Sequence, residues 1–110
     1  MKKKRPYVSH ETEQIREFRK DPARGMEYLN ASILVAFQEN DPELVLLALA
    51  TVARAYGMTR LAKAADLQRE SVHRMLSRRG NPEWNSLFRL FKALHLRPKL
   101  ELTGRLAAES

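Results

Sequence analysis

Residues 68–79 read Gln-Arg-Glu-Ser-Val-His-Arg-Met-Leu-Ser-Arg-Arg, a run rich in hydrogen-bonding side chains. If the run is helical with Val72, Met75 and Leu76 facing inward, Arg69, Glu70, His73 and Arg74 face outward along its first two turns. Such side chains suit the edges of bases. Arg bonds bidentately to guanine, Glu accepts from the cytosine amino group, and Gln68 at the helix start reaches adenine or phosphate. Arg78 and Arg79 follow in a loop beside the backbone. The candidate DNA-contacting residues are therefore Gln68, Arg69, Glu70, Ser71, His73, Arg74, Arg78 and Arg79. Outward charges alone fit a solvated polar face better, so the decision rests on the residues that position them.

Other chemistries find little support. His10, His73 and His95 lie far apart in different elements, with no carboxylate pair or metal-ligand spacing beside them. Gly25, Gly57, Gly80 and Gly104 are isolated, so no glycine-rich loop precedes a helix to cradle phosphate. The chain has no cysteine, which excludes a disulfide framework and thiolate metal ligands. The expectation is a protein that is not an enzyme and uses no cofactor.

Residues 58–77, MTRLAKAADLQRESVHRMLS, restrict the structure position by position. Two short helices meeting at a steep angle need small residues between their backbones and a turn that accepts unusual dihedrals. Thr59 is placed to cap the first helix, Leu61 to enter the core, and Ala62 to lie at the crossing. Ala65 and Leu67 bracket Asp66 at the turn, where glycine is commonest and aspartate tolerates left-handed geometry. Small residues, turn and outward charges together predict a DNA-reading helix-turn-helix.

Three times an Asp or Asn precedes Pro and then an apolar periodic run: Asp21-Pro22, Asp41-Pro42 and Asn81-Pro82. Each pair puts a capping oxygen before a proline suited to the first helical position. The first predicts a helix with Met26, Leu29, Ile33 and Phe37 inward, ending at Glu39-Asn40. The second predicts a central helix carrying Leu44, Leu47, Ala48, Thr51, Val52 and Ala55, with Gly57 as a left-handed cap. The third predicts Trp84, Leu87, Phe88, Phe91 and Leu94 as core. An earlier helix, capped by Ser9 and holding Ile15 and Phe18 on one face, should stop at Asp21-Pro22. Lys99 to Thr103 alternates polar and apolar, a weak strand signal. The expected fold is all-α, with five or six helices and one short C-terminal strand. Residues 1–8 read as a flexible basic arm, 9–103 as one domain and 104–110 as a tail.

Lys and Arg outnumber Asp and Glu by 20 to 13. Basic and acidic side chains number seven and three over residues 1–20, two and five over 21–57, six and two over 58–79, and five and three over 80–110. The positive charge thus gathers on the arm and the helix-turn-helix, as a polyanion-binding protein requires. The longest apolar stretch, Leu44 to Ala50, is far shorter than the roughly 20 residues needed to span a bilayer. With no signal-peptide core at the amino terminus, a cytoplasmic location is expected.

The 58–77 segment resembles the helix-turn-helix of the Cro and phage-repressor (Xre) superfamily. The likeness extends from about Asp21 to Leu102. Through Tyr28-Leu29-Asn30-Ala31, Asp41-Pro42-Glu43-Leu44, Ala53-Arg54-Ala55, Gly57-Met58, Arg69-Glu70-Ser71 and Gly80-Asn81-Pro82 the chain closely resembles the HigA-like addiction-module antidote proteins. Gln68 departs from the serine usual before the recognition helix, which weakens that cap. The resemblance implies an antitoxin that represses its own operon by binding double-stranded operator DNA and neutralises a RelE-like, messenger-cleaving toxin. A stand-alone regulator without a toxin, or a module that has lost DNA binding, is the alternative. One helix reads only a few base pairs, so a homodimer is expected, with Leu100 and Leu102 as a pairing strand or the surface near Trp84 as its rival. The acidic half, about residues 7–45, is expected to hold the toxin, and the arm at Lys2 to Arg5 to follow DNA.

Overall fold

The computed structural model describes residues 10–77 and 79–105. Six helices follow in order: α1 (His10–Lys20), α2 (Pro22–Glu39), α3 (Glu43–Tyr56), α4 (Met58–Ala65), α5 (Arg69–Met75) and α6 (Trp84–Ala93). The protein is all-helical, with no strand among the described residues. The expected arm at 1–8 and the Ser9 cap lie outside the described residues.

Two of the Asp-Pro pairs start helices as their chemistry predicts. Asp21 accepts a hydrogen bond from the Ala23 N–H at 3.2 Å, with Pro22 opening α2. Asp41 does the same for the Glu43 N–H at 3.2 Å. The third pair behaves differently. Helix α6 begins only at Trp84, behind Glu83, and Asn81 and Pro82 remain outside it. Just before it, Gly80 lies close against the backbone at the end of α5.

Helix α3 is the centre, packed against α1, α2 and α4, with Ala48, Leu49, Ala50, Thr51 and Ala53 buried. Leu49, Leu61, Val72 and Leu90 are completely buried and join α3, α4, α5 and α6 in one core. Burying such a side chain stabilises by about 1.5–3 kcal/mol. Thr51, the buried polar residue, donates to the Leu47 carbonyl or the Glu11 carboxylate, each 3.2 Å away. Glu11 also pairs with Arg54, tying α1 to α3. The Arg19 guanidinium donates to the Ala55 and Arg54 carbonyls at 3.1 and 3.3 Å, satisfying acceptors that the end of α3 leaves open.

One residue, Gly57, separates α3 from α4, whose axes bend by 100° there. Its N–H closes α3 on the Ala53 carbonyl, and its own carbonyl opens α4 by accepting from Leu61. Its φ of 110° and ψ of 115° lie at positive φ but outside the left-handed helical well, a conformation that favours glycine. Three other helices close without glycine. Asn40, Asp66 and His95 take φ of 55°, 57° and 61°. Behind each, the next N–H reaches five residues back: Asp41 to Ala36, Leu67 to Ala62 and Leu96 to Phe91. These are Schellman closures, and Leu67 and Leu96 pack on the core as such closures favour.

Several apolar residues expected inside lie outside. On α2 the buried face is Gly25, Leu29 and Ala36, whereas Met26 is part-exposed and Phe37 is 81% exposed. At Gly25 α2 lies against the Phe18 ring of α1, which an added Cβ would meet at 3.4 Å, and the larger periodic residues fall to the side. Leu47 is likewise 42% exposed, on the side of α3 turned from the core. Trp84 and Phe88 are exposed and pack on each other, ring centroids 5.8 Å apart, while Leu87, Phe91 and Leu94 border the core. Lys99 to Thr103 forms no strand within the chain, and Leu100 and Leu102 are exposed. Among the described residues no single helix is long and apolar enough to cross a membrane.

Candidate nucleic-acid interface

Helices α4 and α5 form a unit joined by Asp66, Leu67 and Gln68. Ala62 and Ala65 are buried where the two helices approach, and Leu61 fills the core beneath them. Asp66 holds φ 57° and ψ 47°, its N–H bonding back to Lys63. Thr59 does not cap α4. It is exposed within the first turn, because Gly57 brings α3 directly into α4 and leaves no place for a capping side chain.

Val72, Met75 and Leu76 are buried, which fixes the rotation of α5. Arg69, Glu70, His73 and Arg74 are therefore exposed together in two rows, Arg69 with His73 and Glu70 with Arg74, each four residues apart. Ser71 is half-buried at the edge of this face. Gln68 is exposed and makes no side-chain cap, so its amide is left to other partners. Arg79 is exposed beyond the helix, and Arg78 lies outside the described residues. The result is a two-turn helix with one apolar side clamped down and one hydrogen-bonding side turned to solvent.

Two supports were not apparent from residue type. Arg89 of α6 donates to the Asp66 carbonyl at 3.2 Å, holding the turn from the far side. Gly80 is pressed on the end of α5: a Cβ there would meet the Met75 carbonyl oxygen at 2.2 Å and the Arg74 oxygen at 2.9 Å. Ser77 also caps this end, its hydroxyl donating to the Arg74 carbonyl at 2.8 Å. Helix α4 adds exposed Arg60 and Lys63, three residues apart, with the Arg60 guanidinium 4.8 Å above the Tyr56 ring. Their spacing was visible in the sequence. The packing of Arg60 on Tyr56 depended on the fold.

Residues 13–102 match a family described as probable addiction module antidote protein. An uncharacterized protein from Haemophilus influenzae is 35% identical over 88 residues, covering 77% of this chain and 89% of that protein. No solved structure matches. With the family match running from α1 to the segment after α6, the chain belongs to the probable addiction module antidote protein family.

Proposed function

We propose that the protein is a DNA-binding antitoxin of the HigA-like type, built on an Xre/Cro-repressor helix-turn-helix. It represses its own toxin-antitoxin operon and neutralises a RelE-like, messenger-cleaving toxin in the cytoplasm. The observation that carries the DNA-binding part is the clamped orientation of α5, which presents Arg69, Glu70, His73 and Arg74 together. In this reading α5 enters the major groove, and α4, with Arg60 and Lys63, crosses the phosphate backbone. The family supplies the other part, since an antidote requires a toxin of some kind.

The reader acts as a homodimer, because two copies about 34 Å apart meet successive major grooves. We assign pairing to the exposed side of α6. Trp84, Phe88 and Lys92 follow at intervals of four, with the Lys92 ammonium 5.9 Å from the Phe88 ring. Antiparallel pairing about Phe88 sets Lys92 of each copy over Trp84 of the other, a favourable cation–π contact.

Fluorescence anisotropy on a labelled duplex from upstream of the coding region, against a scrambled duplex, tests the reading. Arg69→Ala or Arg74→Ala should weaken the specific duplex by about 1–3 kcal/mol and the scrambled one much less. Arg79→Ala should weaken both and make the fall of affinity with salt shallower. Equal affinity of the unsubstituted protein for both duplexes would remove the DNA-reading function.

A further inference from the structure

The outer face of α2 has no role in the interface described above. Met26, Asn30, Leu34 and Phe37 follow at steps of three and four residues, so they share one side of the helix. Phe37 is 81% exposed and Leu34 59% exposed. An adjoining pair of large apolar side chains this open, on a helix already packed against two neighbours, is unusual without a partner. At Met26 the face meets an open groove of about 860 Å³ whose walls include Phe18, Leu29, Val52 and Leu94.

Charge says what kind of partner fits. Residues 25–53 hold Glu27, Glu39, Asp41 and Glu43 and not one Lys or Arg, in a chain with 20 basic residues. Glu27 and Glu39 are exposed and form no ion pair among the described residues. Arg24, the basic residue of α2, is engaged by Glu17 at 2.7 Å. A second copy of the chain fits poorly. Two-fold pairing of this face would set carboxylates against carboxylates with no cation to separate them. The face also stands apart from the DNA reader, since the 14 residues of α3 carry the chain about 20 Å from the α2–α3 connection to α4.

We infer that the outer face of α2, centred on Leu34 and Phe37 and flanked by Glu27 in a stretch of chain without Lys or Arg, is the docking surface for the module's toxin. This rests on the antidote reading above. The toxin offers a basic surface with an apolar centre, its cations meeting the carboxylates as Phe37 enters its apolar recess. Because α5 is left uncovered, one protein can hold toxin and DNA together.

The test uses the full-length chain and the purified toxin of its own module, with binding followed by calorimetry. Phe37→Asp and Leu34→Asp should each weaken toxin binding at least about 30-fold, as the loss of a central contact does. Glu27→Lys should weaken it by slower association, an effect that fades at high salt. Circular dichroism and operator affinity should match the parent chain, and light scattering should give its mass. Parent-like toxin binding by both aspartate variants overturns the surface while leaving the antidote reading intact. Failure of the parent chain to bind the toxin overturns both. Loss of dimer in Phe37→Asp with toxin binding retained would make the face a self-association surface and also overturn the inference.

Discussion

Helices α2 and α5 both carry apolar side chains at helical spacing, yet the spacing meant different things in each. On α5, Val72, Met75 and Leu76 are all buried, and the polar side faces solvent as a unit. On α2, Leu29 is buried, but Met26 and Phe37 of the same periodic run are not. The difference lies in what surrounds each helix. Helix α5 has 7 residues and is held at both ends, by the Asp66 turn and by Gly80. Helix α2 has 18 residues, and its closest packing runs along Gly25, Leu29 and Ala36. A short clamped helix has one permissible rotation, whereas a long one can keep an apolar stripe outside its core.

The largest way to break the clamp is from below. Leu61 is completely buried under the α4–α5 unit, in contact with the common core. Leu61→Ala should lower unfolding free energy by about 2–5 kcal/mol, measured by urea denaturation. A loss near zero would show that α4 and α5 pack independently of the rest, and the clamp would then be local.

That hierarchy explains what residue patterns could reveal. The turn at Asp66 was legible because aspartate, flanked by Ala65 and Leu67 between two short amphipathic runs, has few other uses. His95 performs the same left-handed closure, but nothing in its type distinguishes it from a side chain with chemical work. Asn81-Pro82 looked like the two effective helix starts, yet α6 begins only after it, at Trp84. Arg89 is 23 residues from the carbonyl it holds. Trp84 and Phe88 had core spacing too, yet the protein's own helices leave them uncovered. Local chemistry thus marked the α4–α5 turn and most helix ends, while burial on long helices depended on distant neighbours.

Gly80 offers an intermediate disturbance. Its added Cβ would collide with backbone atoms, which cannot swing away as a flexible side chain can. Gly80→Ala should cost about 1–3 kcal/mol in stability, the usual range for overpacking. It should also loosen the end of α5, so faster amide exchange in residues 72–77 is expected while α1 and α2 remain protected. A uniform loss of protection throughout the chain would instead mean that the clamp belongs to the global fold.

The smallest effect sharpens the contrast most directly, because it compares two residues on one helix. Leu29 is 4% exposed and Phe37 81% exposed, although both belong to the same apolar run. If burial and not periodicity sets their contribution, Leu29→Ala should lose about 2–5 kcal/mol. Phe37→Ala should change stability by less than about 0.5 kcal/mol despite deleting the larger side chain. Alanine also has the better helix propensity, worth a few tenths of a kcal/mol at an exposed site, so the midpoint of thermal unfolding could even rise slightly. Chemical denaturation of the isolated chain at two protein concentrations completes the measurement. A large loss at Phe37 that shrinks on dilution would show it buried between copies, whereas a concentration-independent large loss would place it in the core after all. A silent Phe37 in the isolated chain leaves its ring free for another protein.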